Sequence, residues 1–477
     1  IGGLTAGAIL ARNGKKVLVL EKNPVAGGYA VNFRRGEFEF DASLHLLNGF
    51  GKGKISYRFL EEAGIDEKIE FIRSPYLYRS IFPDFDIRLP QCNPEAYIEL
   101  LAKFFPSEID KVKELFKLMY RIFCRIYEVS GDRISPGDFT KYIGLTYQDV
   151  LNEFSLNDKL VAIISQVWPF NGLPPKQLPF FSFLVSFCDY VYNGGYYPKG
   201  GGQAIADALV AVIRENGGAV VFKKPAEQVL IKNGVAYGIL SKDRDVFLGN
   251  KIICNIDART VFHKLIGAQH LNHLFLKKID EMEPSISAFQ VYLGLSVDLT
   301  SSGLIDYTIF LNYDYNLEKH YQDSVDNKMD KSPLEISIYS LLTDNKSSKN
   351  RSIVNIISLA GYDFWKNIPK ELYKDKKEEL ANILIKRAEA VIPKLSSSID
   401  TMEVATPLTM ERYTGNYKGA IYGWSPKLAQ FGVRRMGQKT PIKNLFLCGA
   451  WTKPAGGIAG VMQSGVILSN KILNGDY

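Results

Sequence analysis

The apolar run Val17-Leu18-Val19-Leu20 has no polar break, the pattern of a parallel strand covered on both faces. Ahead of it, Leu4, Ala8 and Ile9 mark a short helix of small and apolar residues. Asn13-Gly14 closes that helix, since glycine accepts the left-handed conformation a helix end needs. Glu37-Phe38-Glu39-Phe40 alternates like a half-buried strand. Residues 108–129 predict an amphipathic helix, with Lys113, Lys117, Arg121 and Arg125 on one side and Leu115, Met119, Ile122, Phe123 and Ile126 on the other. Residues 178–185 are apolar and aromatic, and either line a cavity for a long apolar ligand or form plain core. A glycine-rich turn at Gly200-Gly201-Gly202 feeds a helix with Ile205, Leu209, Val212 and Ile213 on one face, ending at Gly217-Gly218. Short strands are expected at 219–222, 229–231 and 251–255, with a hairpin turn at Asn233-Gly234. From 287 to about 365, strands alternate with polar loops, and 321–332 and 345–352 read as solvated loops. A helix over 374–391 stops before Pro393, and a buried strand over 444–448 runs into Gly449 and a last helix reaching Leu473.

Composition narrows the class. With 477 residues, 46% of them hydrophobic, the chain can bury a large core and is too long for one simple domain. The net charge of +7 is mild and its basic residues are spread, which argues against nucleic acid as a partner. A weak attraction to anionic membrane surfaces is compatible with it, and a basic helix face is either a solvated surface or a peripheral membrane contact. Five scattered cysteines without a C-x-x-C pair argue against a disulfide scaffold or a zinc site and suit a reducing, cytoplasmic setting. The longest apolar run, 178–188, is shorter than the roughly 20 residues a spanning helix needs.

The chemistry concentrates at the two ends. Gly2-Gly3 reads as the tail of a glycine-rich turn before a helix, and Glu21 stands at the end of the following strand. In a dinucleotide fold that position accepts hydrogen bonds from a ribose. The chain opens inside the G-x-G-x-x-G fingerprint, so a strand and a first Gly-x-Gly are expected before Ile1. The plainer alternative is a βαβ unit whose helix packs tightly at Gly2-Gly3. Gly27-Gly28 would let the backbone approach a large ligand closely. Near the C-terminus, a strand, a glycine turn and a helix N-terminus point free N–H groups at a pyrophosphate or an electron-rich ring edge.

In order, Glu21, Gly27-Gly28, Pro198-Lys199-Gly200-Gly201, Thr406-Pro407-Leu408-Thr409, Arg412-Tyr413-Thr414 and the stretch 449–460 resemble the amine-oxidase-like flavoprotein superfamily. The closing motif resembles that of its phytoene desaturase, carotenoid isomerase and retinol saturase branch. The resemblance implies an α/β fold in which a Rossmann-like FAD-binding domain (1–75 with 195–270 and 425–477) is interleaved with an α+β substrate domain (76–194 with 271–424). It implies FAD, held by Gly2, Gly3, Glu21, Lys22, Gly27, Gly28, Tyr29, His45, Val229, Asn255, Gly449, Ala450, Gly457 and Ile458. His45 lies on a segment that passes the flavin ring in that family, the strand bearing Val229 meets the adenine, and the loop after Cys254 closes over the cofactor. Two positions depart from the family: Ile256 replaces a small residue, and Ala450 stands where many relatives carry Asp. The resemblance implies an FAD-dependent oxidoreductase acting on an isoprenoid polyene, with no catalytic side chain assigned and no metal. Two alternatives share the fold. One is an amine oxidase, for which Tyr417, Tyr422 and Trp424 could be taken as an aromatic cage. The other is a prenyl-binding carrier like the Rab GDP-dissociation inhibitors, against which Glu21 and the complete closing motif both argue.

Overall fold

The helix Gly2–Arg12 is buried along most of its length because Ala6, Ala8, Ala11 and Gly7 let neighbouring helices approach its axis. The computed structural model in which it is seen describes residues 1–128, 136–343 and 350–477. Helices Gly202–Glu215 and Gly457–Leu473 pack against it. Beside this bundle, Leu18–Leu20 pairs in parallel with Ala219–Val221, and Ile252–Cys254 pairs in parallel with Leu445–Leu447. These are the pieces of a Rossmann-like unit. The strand at Leu18–Leu20 is not covered on both faces as its apolar run predicts. Leu18 is 44% exposed and the next two residues are only partly buried, and Ala219–Val221 is the strand's one partner among the described residues.

A three-stranded antiparallel sheet, Ala226–Lys232, Val235–Ser241 and Val246–Leu248, turns at Asn233-Gly234. Both turn residues have positive φ, 50° and 74°, as a tight two-residue hairpin requires.

The second unit is built on a seven-stranded sheet. Its order is Ile399–Ala405, Ser287–Leu295, Ser352–Ala360, Leu334–Ile338, Thr308–Leu311, Tyr76–Phe82 and Phe85–Pro90, antiparallel except where Thr308–Leu311 meets Tyr76–Phe82. The central strands are buried on both faces, and their alternation sorts the side chains. Phe289, Val291 and Leu293 pack under Trp365 and helix Tyr373–Ala388, while Tyr292, Phe310 and Tyr339 join the large core on the other side.

Helix Ile109–Tyr127 follows the expected pattern. Leu115, Met119, Ile122 and Phe123 are buried, Lys113, Lys117 and Arg125 are exposed, and Arg121 is half-buried. Its predicted last residue, Val129, lies outside the described residues, as does most of the expected loop 345–352. Residues 321–332 are not a solvated loop. Helix Leu317–Val325, capped by the Asn316 side chain accepting from the Lys319 N–H, occupies the start, and Asp323, Ser324, Asn327, Met329 and Ser332 are buried. The polar groups there serve other parts of the chain. Asn327 accepts from the Trp365 indole at 2.7 Å and donates to the Gly361 carbonyl at 3.0 Å, and Arg387 donates to the carbonyls of Met329 and Ser332. Among the described residues no helix is long and apolar enough to cross a membrane, and no cluster of His, Cys, Asp and Glu could hold a metal.

Candidate active site

A cavity of about 1250 Å³ is lined by both units. That exceeds the ~300–1,000 Å³ of an ordinary small-molecule site, and leaves room for a large cofactor with a second ligand.

Its nucleotide-like end is built from glycines whose space is already taken. A Cβ on Gly2 would stand 2.9 Å from the Val461 carbonyl oxygen and 3.1 Å from Gly449 Cα, so the opening helix and the closing motif touch at backbone distance. Gly27 has φ +130°, and a Cβ there would meet the Ala30 carbonyl oxygen at 2.8 Å. Glu21 sits where the strand ends: its N–H donates to the Val221 carbonyl at 2.9 Å, and its Oε1 accepts from the Asn23 N–H at 2.8 Å. The second oxygen, Oε2, has no hydrogen-bond partner among the described residues. Asn255 ties the parts together, accepting from the Gly3 N–H at 2.6 Å and donating to the Cys448 carbonyl at 3.0 Å.

Of the residues expected to meet the cofactor, Gly2, Glu21, Lys22, Gly27, Gly28, Tyr29, His45, Asn255, Ala450, Gly457 and Ile458 line this one cavity. Gly3 and Gly449 stand just behind it, bonded to or pressed against Asn255. Val229 does not line it. The strand Ala226–Lys232 reaches the cavity only with Ala226, preceded by Lys224 and Pro225, whereas Val229 is buried in a core with Ile252, Val261 and Leu447.

The donor set fits a flavin dinucleotide. Two helices, Gly2–Arg12 and Gly457–Leu473, begin at the cavity, and helix N-termini present free N–H groups to a pyrophosphate. The Glu21 carboxylate can accept from a ribose hydroxyl, and Lys224, whose N–H donates to the Glu21 carbonyl at 2.9 Å, lines the cavity with Pro225 and Ala226. Arg435, which no sequence signal marks, is buried in the wall and donates to three carbonyls: Thr452 at 2.8 Å, Trp424 at 3.1 Å and Ala450 at 2.6 Å. Burial pushes its guanidinium down to about 10, so it stays charged at neutral pH. It clamps the turn after Gly449, and a positive charge is thereby fixed beside the cavity where Ala450 provides no carboxylate.

The other end is apolar. Ile126, Tyr127, Phe139, Ile143, Phe170, Phe181, Val185 and Phe310 face it. Residues 178–185 therefore do both things expected of them: Phe181, Ser182 and Val185 line the cavity, while Phe180, Phe183 and Leu184 are core. Tyr417, Tyr422 and Trp424 do not form a cage. Tyr422 and Trp424 line the cavity, but Tyr417 lies under the Arg259 guanidinium, 4.5 Å from it.

The polar groups that interrupt this apolar end include two ionisable sites. Asp189 accepts from Asn48 and Asn193 at 2.7 Å each and from the Ser56 hydroxyl at 3.3 Å, and burial pushes its carboxyl up to about 6. The second is His45, whose Nδ1 is 2.9 Å from Glu335 Oε1 on strand Leu334–Ile338. The segment carrying His45 is held by tyrosine hydroxyls, each donating to a successive part of it. Tyr197 bonds the Asp41 carboxylate, Tyr292 the Ala42 carbonyl at 2.6 Å, Tyr339 the Leu44 carbonyl and Tyr307 the His45 carbonyl at 3.1 Å. The Gly202 N–H completes the hold on Asp41 at 2.9 Å.

Known proteins share the family and the fold of this chain. The family described as Flavin containing amine oxidoreductase matches residues 1–473. All-trans-retinol 13,14-reductase of Danio rerio is 25% identical over 520 residues, covering 99% of this chain and 85% of that protein. The chloroplastic prolycopene isomerase of Daucus carota is 26% identical over 496 residues, covering 99% and 78%. The crystal structure of an oxidoreductase from Methanosarcina mazei superposes with a TM-score of 0.69 at 17% identity, covering 99% of this chain and 98% of that one. The chain belongs to the flavin-containing amine oxidoreductase family, and is an FAD-dependent oxidoreductase of its two-domain fold.

Proposed function

We propose that this oxidoreductase acts on an apolar isoprenoid polyene, desaturating, saturating or isomerising one of its double bonds. The observation that carries the reading is the cavity itself. One cavity of about 1250 Å³ is lined both by the glycines and the Glu21 carboxylate and by a set of aromatic and aliphatic side chains. The names of the retinol reductase and prolycopene isomerase relatives support the same substrate class.

In this reading Glu21 binds the adenosine ribose, the N-termini of Gly2–Arg12 and Gly457–Leu473 bind the pyrophosphate, and the turn clamped by Arg435 flanks the flavin ring. The bound flavin supplies hydride exchange. The protein's part is to orient the polyene along Phe181, Val185, Phe310 and Phe170 and to exclude water around it. Residues 1–75, 195–270 and 425–477 make the cofactor domain, and 76–194 with 271–424 make the substrate domain. The basic face of helix Ile109–Tyr127 is the surface that would meet an anionic membrane.

The test is anaerobic incubation of the flavin-loaded protein with a panel of carotenes and retinol, followed by absorption spectra of the extracted products. A changed polyene is the expected result. An untouched panel together with bleaching of the flavin by primary amines would replace this reading with an amine oxidase. Protein that never retains flavin would favour the prenyl carrier.

A further inference from the structure

Glu335 and His45 form an ionisable pair, 2.9 Å apart, in the lining of the apolar wing. Glu335 is buried on the central sheet, and its strand neighbours Phe310 and Ile357 are apolar. An isolated buried carboxylate is costly unless it is paired. Its partner is the His45 ring, which faces the cavity and packs against Phe170, with ring centroids 5.4 Å apart. Because Nδ1 is engaged by Glu335, Nε2 is the nitrogen left for a ligand, and it has no hydrogen-bond partner among the described residues. The tyrosine hydroxyls that grip residues 41–45 hold the backbone that carries the ring.

We propose that His45 is a catalytic residue that exchanges a proton with the polyene through Nε2, and that Glu335 is the positioning residue that fixes its ring. The inference rests on the reading of the wing as a polyene site. Saturating a C=C bond requires a hydride and a proton. The hydride brings its electron pair from the reduced flavin to one carbon, and the π pair of the double bond takes the proton from His45 Nε2 to form the second C–H bond. The ring is left neutral and regains its proton from solvent. In the desaturating direction a neutral His45 accepts the proton, the C–H pair becomes the π pair, and the hydride leaves to the oxidised flavin.

The surroundings suit this work. Burial opposes a charge on His45, but the Glu335 carboxylate 2.9 Å away and Asp41 outweigh that and hold the imidazole above its ordinary value. The other titratable groups about the pair are the phenols of Tyr190, Tyr307, Tyr339 and Tyr422, all pushed up by burial and hence neutral. Glu335 and Asp41 are therefore the charges that govern the ring. A saturating reaction, which starts from the protonated ring, runs fastest at low pH and falls as pH rises through the raised value. A desaturating one rises through the same value. In either case Glu335→Gln moves that limb to lower pH.

The experiment has two arms, both on the flavin-loaded full chain. In the first, NMR of protein carrying ¹⁵N-histidine follows the ring through pH, with the His45 signal assigned by its loss in His45→Gln. The ring should titrate above the ordinary histidine range in the wild type and lower in Glu335→Gln. In the second, polyene conversion per bound flavin is measured against pH. His45→Gln should lose about 10²–10⁴-fold and its pH limb, and Glu335→Gln should keep the limb but displace it downward. A His45→Gln variant with wild-type conversion and an intact limb overturns the proton role, with the substrate reading untouched. A wild type that converts no polyene while its His45 ring still titrates high overturns the substrate reading and the polyene as proton acceptor together. An unmoved ring titration in Glu335→Gln overturns the part given to Glu335.

Discussion

Glu21 lines the cavity, and one of its oxygens, Oε1, closes the turn onto the Asn23 N–H. Truncating it removes the charged acceptor but leaves the strand pairing of Leu18–Leu20, which is backbone only. Glu21→Ala should weaken FAD binding by about 1.5–3 kcal/mol, the range for a hydrogen bond to a charged group. Flavin absorbance per protein after dialysis measures it, and full occupancy in the variant would remove Glu21 from the ribose site. Glu21 was legible in the sequence because its place is local, at the end of an apolar run a fixed distance after the glycines. Arg435 and Glu335 were not. One acts by donating to the carbonyls of Trp424, Ala450 and Thr452, the other by facing a ring from a different part of the chain, and neither has a neighbour in sequence that announces it.

Between elements, the site depends on how closely two helices approach. Gly465 on Gly457–Leu473 lies over the start of Gly2–Arg12, and a Cβ there would be 2.6 Å from the Gly2 carbonyl oxygen and 2.8 Å from Thr5 Cβ. The Ser469 hydroxyl bonds the Ala6 carbonyl at 3.2 Å along the same seam. On an exposed helix, replacing glycine by alanine gains about 1 kcal/mol. Here the obstruction is backbone, which cannot swing aside, and overpacking costs typically ~1–3 kcal/mol. Gly465→Ala should therefore be destabilising on balance and should also retain less flavin, because both helices begin at the cavity. A denaturant midpoint equal to the wild type's would show that the helices separate freely. Polar composition misled at this scale: residues 321–332 look like surface, yet their amides and carbonyls are the partners of Trp365 and Arg387.

For the whole molecule, the mild positive charge matters only where it is gathered. Helix Ile109–Tyr127 presents Lys113, Lys117 and Arg125 to solvent and lends Ile126 and Tyr127 to the apolar wing of the cavity. A membrane contact on that face would bring the wing near the source of an apolar substrate. Changing Lys113, Lys117, Arg121 and Arg125 to Gln should reduce pelleting with anionic vesicles, and salt should do the same to the wild type, since exposed charges are screened beyond roughly 8 Å at physiological ionic strength. Undiminished pelleting of the variant would assign the face to solvent.

What the sequence determined by itself is whatever short-range chemistry demands. Glycines mark where backbone must meet backbone or ligand, Glu21 marks a strand end, and helical periodicity separates the basic face of Ile109–Tyr127 from its buried one. These requirements are written within a few residues of one another, and so is the resemblance they carry. Tertiary structure alone decided that Val229 belongs to a core rather than to the cavity wall, because a strand's depth depends on what it packs against. It alone brought His45 to Glu335 and closed the turn after Gly449 under Arg435. Burial, which sets the charge state of such groups, is a property of neighbours far apart in sequence, and only the folded chain assembles them.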